Sequence, residues 1–240
     1  MVSSVFKIFV DFDGTISKVD VGDAIFRKFA DKEKVDAVIS KLLNDEISAR
    51  QSWLSLCELT NNINKDDFDL FINTIEIDQT FHELVDYCKA NNIDLYVLSD
   101  GFDYYIDKIL AKENIKDLTI YSNKLKINEA GKLIPEFPYL DESCTSSANC
   151  KRNHIINNSG DEDYTIFIGD GNSDKFTAEF CDFIFAKDDL LKFCERERIT
   201  YFPYNDFHDI VIRINHLTEK KRLKKRHQAE LKRKEIYMIE

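Results

Sequence analysis

Short apolar runs recur along this chain of 240 residues, and each run ends in a polar loop. The runs are rich in aromatic and β-branched residues and stand at 5–10, 93–98, 164–168 and 182–185. Runs of this length and composition are typical of strands that are buried on both faces of a parallel sheet. The pattern therefore predicts such a sheet, with a further strand at its edge over 199–202.

Residues 15–77 show a different pattern and contain no convincing buried strand. Apolar residues recur there at helical spacing in four groups, the first of which contains Ile25, Phe26 and Phe29. This spacing predicts a four-helix insertion between the first strand and a helix at 79–90.

Beyond 93–98, the pattern alternates between strands and helices. It predicts helices at 102–112 and 150–157, a short strand at 118–121 and a hairpin over 125–137. Alternating units of this kind are typical of a parallel sheet with helices on both faces. The predicted fold class is therefore α/β, with a Rossmann-like parallel sheet flanked by helices and a small helical insertion.

Two aspartates, Asp11 and Asp13, stand directly after the first run, in the segment Asp11-Phe12-Asp13-Gly14-Thr15. In open α/β sheets, ligands bind beyond the carboxyl ends of the strands, so this pair stands where chemistry is expected. The alternative interpretation is a helix cap or an Asx turn, since aspartate is common in both.

A second acidic loop, Gly169-Asp170-Gly171-Asn172-Ser173-Asp174, follows the run at 164–168. Two strands that each end in such a loop would bring four carboxylates to one edge of the sheet. Two carboxylates about 4 Å apart repel by roughly 4 kcal/mol at an effective dielectric of about 20, which favours a bound cation. Mg²⁺ fits oxygen ligands of this kind, whereas the chain has no Cys or His spacing that suits zinc.

Two further features would complete a phosphate site. Ser99-Asp100-Gly101 follows the run at 93–98, and a hydroxyl with backbone amides in a strand-to-helix turn suits phosphate oxygens. Lys151 stands early in the predicted helix at 150–157 and would add a cation. Taken alone, Ser-Asp-Gly is a plain turn or N-cap and a lone lysine is a solvated charge.

These four elements, in their order and spacing, resemble the haloacid dehalogenase superfamily over about residues 5–186. The resemblance is strongest to the branch that contains the phosphoserine phosphatases and the methionine-salvage phosphatases. It implies a core of residues 1–14 and 78–216 and a helical cap of residues 15–77, and the basic composition of the C-terminus sets off a segment of residues 217–240.

The resemblance also implies roles for individual residues. Asp11 would be the nucleophile that forms an aspartyl-phosphate, and Asp13 the general acid and base. Asp11, Asp13 and Asp170 would bind Mg²⁺, with Asp174 in support. Ser99 and Lys151 would hold the phosphoryl group. Members that cleave carbon–halogen bonds lack the second aspartate, so Asp13 indicates a phosphatase.

The expected substrate is a small phosphorylated metabolite, which Asp20, Arg50, Asp100 and Asn172 would contact along with the phosphate-binding residues. Asp20 stands where phosphoserine phosphatases carry a glutamate, and Arg50 near their substrate-binding arginine; the alternative for each is an exposed helix charge. Ser99-Asp100-Gly101-Phe102 replaces the usual Ser-Gly-Gly-Phe and is more similar to the methionine-salvage phosphatases. The only tryptophan, Trp53, is expected in the core of the cap.

Two other functions stay open on the same fold. One is a non-catalytic protein that binds a phosphorylated ligand, and the other is a phosphotransferase. All the proposed catalytic residues are present in the chain, which disfavours the first.

Composition and charge narrow the expectations further. No apolar stretch reaches the 18 residues of a transmembrane helix, and the start of the chain lacks the features of a signal peptide. Six scattered cysteines favour reduced thiols in the cytoplasm, although Cys144 and Cys150 could form a redox pair. A homodimer is left open.

The C-terminal segment 219–240 differs from the rest, because its net charge is +5 in a chain of net charge −11. The preferred interpretation is a solvated terminal helix that lies on the acidic body. Contact with a nucleic acid or an anionic membrane is the alternative. The overall negative charge disfavours polyanion binding by the main domain.

Overall fold

The computed structural model describes residues 6–144, 147–220 and 222–237. Within these ranges the centre is a seven-stranded sheet of order β4-β3-β2-β1-β5-β6-β7. Its strands are β1 Phe6–Asp11, β2 Asp94–Phe102, β3 Thr119–Ile127, β4 Leu133–Glu136, β5 Tyr164–Gly169, β6 Phe183–Ala186 and β7 Phe202–Pro203. All neighbours are parallel except β3 and β4, which form the predicted hairpin. The predicted α/β fold class is confirmed; Val5 lies outside the described residues.

Four helices stand between β1 and the next core helix, as the apolar spacing predicted. They are α1 Val21–Phe29, α2 Lys32–Leu43, α3 Ala49–Leu59 and α4 Lys65–Thr74. Polar caps start each of them: the side chains of Asp20, Asp31, Ser48 and Asn64 accept hydrogen bonds from the first-turn amides of α1 to α4. We call residues 21–74 the helical insertion. The predicted boundaries of core, cap and tail remain predictions.

The remaining helices flank the sheet. They are α5 Phe81–Asn91, α6 Asp103–Lys112, α7 Lys151–Asn157, α8 Lys175–Ala178, α9 Asp188–Arg196, α10 Phe207–Thr218 and α11 His227–Tyr237. Buried strand residues contribute to two hydrophobic clusters, one containing Ile8 and Val10 and the other Phe9 and Phe167. Because side chains alternate along a strand, these clusters cover opposite faces of β1. None of the helices in the described ranges has the length and hydropathy to cross a bilayer.

The register of the parallel strands positions the site. Val10 of β1 lies opposite Val97 of β2 on one side and Ile168 of β5 on the other. The residues that follow on each strand therefore emerge at the same edge of the sheet. The acidic and hydroxyl-bearing segments after these strands are neighbours for this reason.

Strand β2 is longer than the sequence predicted. Ser99, Asp100 and Gly101 belong to an irregular end of the strand, where the register with β3 shifts between Leu98 and Phe102. The side-chain amide of Asn123 in β3 donates a 2.6 Å hydrogen bond to the Asp100 carbonyl, which holds this end against the sheet. The predicted strand-to-helix turn was wrong at these residues.

The basic C-terminal segment forms α11 and lies on the body. Ala229 in this helix is fully buried. The Arg226 guanidinium donates to the carbonyls of Ala178 and Glu179, at 2.6 and 2.5 Å. The Arg233 guanidinium pairs with the buried carboxylate of Asp182 at 3.2 Å. Residues 227–237 thus form the predicted terminal helix on the body, although the predicted solvated character does not hold at the buried Ala229; residues 221 and 238–240 lie outside the described residues.

Replacing Arg233 by alanine is expected to lower the free energy of unfolding by about 1–3 kcal/mol, because the buried Asp182 carboxylate loses a charged donor. Lys234→Ala is the matched control, since Lys234 makes an exposed pair with Glu230 on the same helix. Urea unfolding measures the free energy of unfolding of both variants. Equal effects of the two substitutions would contradict this account of α11.

Candidate active site

Lys151, the first residue of α7, lies at the centre of the site. Its ammonium donates to Asp11 at the end of β1 and, at 2.7 Å, to Oδ1 of Asp174. At most 5% of any of these three side chains is exposed. The structure therefore brings together acidic residues from the two predicted loops around one buried cation.

Asp11, Asp170 and Asp174 form a carboxylate group in which one oxygen of each lies within 4.8 Å of the others. Oxygen donors at this spacing suit a hard divalent cation. Asp174 is already engaged: its Oδ2 accepts from the amides of Asp170 and Gly171 at 3.1 and 3.0 Å, and its Oδ1 accepts from Lys151. Asp174 therefore orders the loop, and the roles predicted for these three carboxylates at a metal ion remain predictions.

Two glycines allow the acidic side chains to approach the backbone. Gly14 has φ +80°, and a Cβ at this position would lie 2.5 Å from Oδ2 of Asp170. A Cβ on Gly169 would lie 2.5 Å from Oδ2 of Asp174. Any larger residue would push the carboxylates away, so the available space requires glycine at both positions. At Gly14 the positive φ requires it as well.

Asp13 turns away from the carboxylate group. Its oxygens accept hydrogen bonds from the Ser99 hydroxyl at 2.9 Å, the Val21 amide at 3.1 Å and the Tyr105 hydroxyl at 3.2 and 3.3 Å. The Asp13 side chain lies outside the group of Asp11, Asp170 and Asp174, and its predicted role as a metal ligand remains a prediction. Tyr105 could not be identified from the sequence, because nothing in the spacing of α6 marks one buried tyrosine as a partner of a residue 92 positions earlier.

The environment tunes the acidity of the site. Burial and the nearby Asp20 carboxylate raise the pKa of Asp13 to about 7, against the lowering effect of its hydrogen bonds. Burial and the Asp174 carboxylate raise the pKa of Asp11. Burial alone would lower the pKa of Lys151, but Asp11 and Asp174 outweigh it and raise that pKa. Asp13 can thus carry a proton near neutral pH, as a general acid must.

Ser99 and Asp100 have protein partners in this structure. The Ser99 hydroxyl accepts from the Gly101 amide at 2.9 Å and donates to Asp13. Oδ1 of Asp100 accepts from three donors in the segment before Lys151, and its Oδ2 accepts from Trp53 at 3.2 Å. Trp53 therefore lies where the helical insertion meets β2, rather than wholly within the insertion.

Three residues predicted to contact the substrate have other neighbours. Asp20 is exposed and caps α1 by accepting from the Asp23 amide at 2.8 Å. The Arg50 guanidinium lies 5.9 Å from the centre of the Phe137 ring. Asn172 is exposed and accepts from the Lys175 ammonium. Their roles toward a substrate remain predictions, and Asp20 is linked to the site through its effect on the pKa of Asp13.

Comparison with known proteins shows which family the chain belongs to. The model of the family described as Putative Phosphatase matches residues 6–196. A Bacillus mycoides protein named 2-hydroxy-3-keto-5-methylthiopentenyl-1-phosphate phosphatase is 34% identical over 219 residues, which is 90% of this chain and 98% of that protein. A protein of the same name from Bacillus thuringiensis subsp. konkukian is 32% identical over 218 residues, with the same coverage.

Solved structures share the fold at lower identity. A phospho-aspartyl intermediate analogue of phosphoserine phosphatase has a TM-score of 0.68 at 22% identity and covers 88% of this chain and 99% of its own. A substrate-bound phosphoserine phosphatase complex has a TM-score of 0.68 at 21% identity, with coverage of 88% and 98%.

The family model and the curated relatives identify the chain as a phosphatase, and the solved phosphoserine phosphatase structures share its fold. Within this class, the chain belongs to the Putative Phosphatase family, whose model spans most of its length. The resemblance inferred from the four sequence elements is confirmed.

Gly14→Ala is expected to reduce the turnover of an aryl phosphate by more than about 100-fold, because the added Cβ displaces Asp170. It should also lower the free energy of unfolding by about 1–3 kcal/mol through strain at positive φ. Gly160→Ala is the control, since a Cβ there meets only ordinary contact at 3.6 Å. Activity retained in Gly14→Ala would contradict the requirement for close approach.

Proposed function

We propose that this phosphatase is a Mg²⁺-dependent phosphomonoesterase that hydrolyses a small phosphorylated metabolite in the cytoplasm through an aspartyl-phosphate on Asp11. The observation that carries the proposal is the pairing of Asp11 with the buried ammonium of Lys151, beside the Asp13 carboxyl group, which accepts a hydrogen bond from Ser99. Nucleophile, cation and proton carrier thus meet at one strand end.

Asp11 and Asp13 divide the covalent chemistry between them. A carboxylate oxygen of Asp11 attacks phosphorus, the bond from phosphorus to the ester oxygen breaks, and Asp13 protonates the departing alkoxide. Asp13, now ionised, takes a proton from the water that attacks the aspartyl-phosphate. Phosphate leaves and the Asp11 carboxylate is restored, so one water is consumed for each ester.

Lys151 and Ser99 supply donors for the phosphoryl oxygens. In the structure these donors face Asp11 and Asp13, next to where the phosphorus must lie for attack. Phosphoryl transfer relies on such positioned charges, because negative charge is spread over the equatorial oxygens in the transition state.

Asp11 and Asp170 fit as ligands of Mg²⁺, with Thr15 orienting Asp170 through a 2.7 Å hydrogen bond to its Oδ1. When bound, the cation offsets the repulsion between the Asp11 carboxylate and the phosphate.

For the substrate, we favour a small keto-phosphate of the kind named for the relatives that are 32–34% identical. Asp100 supports this choice, since it replaces the glycine expected in a phosphoserine phosphatase. Phosphoserine is the second candidate, for which Asp20 would hold the amino group and Arg50 the carboxylate. Ranking both by kcat/KM decides between them. The homodimer stays a prediction without support from the described residues.

Replacing Asp11 by asparagine is expected to lower the Mg²⁺-dependent hydrolysis of an aryl phosphate by at least about 1,000-fold, since the amide is a poor nucleophile. The exposed Asp161→Asn is the control and should keep the wild-type rate. If wild type and Asp11→Asn show equal rates, the proposed catalysis through Asp11 fails, and the alternative of a non-catalytic protein that binds a phosphorylated ligand remains. Transfer of phosphate to added glycerol in place of water would indicate a phosphotransferase.

Mg²⁺ in the millimolar range is expected to raise the Tm, because binding relieves carboxylate repulsion that exists only in the folded site. A hundredfold excess over Kd corresponds to about 2.7 kcal/mol. In Asp170→Asn the Mg²⁺-induced rise should shrink, and the metal-free protein should melt above the wild type. Thermal melting with and without Mg²⁺ measures this, and an unchanged Tm of the wild type would argue against the assigned metal.

A further inference from the structure

Asp100 stands beside the proposed phosphate-binding Ser99 but directs its carboxylate to the protein. Its Oδ1 accepts from the Ser147 hydroxyl at 2.8 Å and from the amides of Ala148 and Asn149 at 2.7 and 2.8 Å. These donors are buried. One oxygen atom thus gathers the segment 147–150, which we call the Lys151 loop because it leads directly into that residue.

The Lys151 loop is also tied to the sheet by Asn149. Its side-chain amide donates to the carbonyls of Ser99 and Tyr121 at 2.8 and 2.9 Å. Its Oδ1 lies 2.7 Å from Nε2 of His154, one turn into α7. The position of the Lys151 ammonium therefore depends on how firmly this loop is held at the end of β2.

The second oxygen of Asp100 faces the helical insertion. It accepts from the indole N–H of Trp53 in α3 at 3.2 Å. The Trp53 ring packs edge-on against Phe102, with 4.9 Å between ring centres. Gly22 leaves space for the ring, since a Cβ there would lie 2.6 Å from Cη2 of Trp53. Trp53 thus links the insertion to the same carboxylate that holds the Lys151 loop.

We propose that Asp100 is a positioning residue that couples the helical insertion to Lys151, through Trp53 on one oxygen and the Lys151 loop on the other. Both oxygens must accept, which explains a carboxylate at this position: an amide offers one acceptor and would present N–H groups to a donor on the other side. The contact between the helical insertion and β2 thereby holds Lys151 in the position from which it would bind the phosphoryl group. The proposal rests on the proposed function for the role of Lys151.

The first test uses Trp53→Phe, which keeps an aromatic ring against Phe102 and removes the N–H donor. Amide hydrogen exchange of the metal-free protein, read on peptides that contain Ala148 and Asn149, should be several-fold faster than in the wild type. The control is Leu70→Ala on the exposed face of α4, which should leave exchange in these peptides unchanged. Unchanged exchange in Trp53→Phe would overturn the proposal.

The second test uses Asp100→Asn and the fluorescence of Trp53, the only tryptophan in the chain. Loss of the acceptor should shift the emission to longer wavelength and increase quenching by acrylamide. An emission spectrum identical to that of the wild type would overturn the proposal. If Asp100→Asn does not fold, the exchange experiment on Trp53→Phe decides.

Kinetics with an aryl phosphate and Mg²⁺ then measure the coupling. Each single variant should lower kcat/KM by about tenfold, and the double variant should be no slower than Asp100→Asn alone. A double variant that shows the product of the two losses would overturn the proposal. If the wild type hydrolyses no phosphate ester while the exchange and fluorescence changes occur, the proposed function fails and the contact through Asp100 stands.

Discussion

The site depends on one buried ammonium group. Lys151 lies between Asp11 and Asp174, and Asp170 adds a further carboxylate close by. Carboxylates removed from water at this spacing repel strongly, and each buried charge is costly unless it is paired. The lysine lowers that cost before any substrate arrives. The position of Lys151 as the first residue of α7 is therefore important. If Lys151 stood elsewhere along this helix, its ammonium would lie away from the strand ends.

The sheet makes this pairing possible through register rather than through local sequence. β1 is flanked by β2 on one side and β5 on the other, and their tips carry Asp11, Ser99 and Asp170 to one edge. Close approach is then completed by Gly14 and Gly169, which leave room for carboxylate oxygens against the backbone. Strand order thus brings the site residues to the same edge of the sheet, and the two glycines allow their carboxylate oxygens to approach the backbone closely.

The strands, the helical insertion and the acidic group could be predicted because they depend on local patterns and short motifs. Apolar runs mark buried strands, and aspartates after two of them identify neighbours once the sheet is parallel. The partners of Asp13 and Asp100 could not be found in this way. Tyr105 and Trp53 reach these carboxylates across long sequence separations, and only the packed fold sets which aromatic side chain meets which acid. Likewise, the end of β2 is bonded by Asn123 in the next strand, a contact that no local pattern indicates.

The order of the central strands has a consequence for how the protein emerges during synthesis. β1 is made before the helical insertion, its partner β2 follows after the insertion, and β5 comes later still. Contacts of such high sequence separation close large loops and are slow to form. β1 therefore cannot pair with β2 or β5 until the whole helical insertion has been made. A nascent chain that ends before Asp174 has therefore not yet brought together Asp11, Lys151 and Asp174.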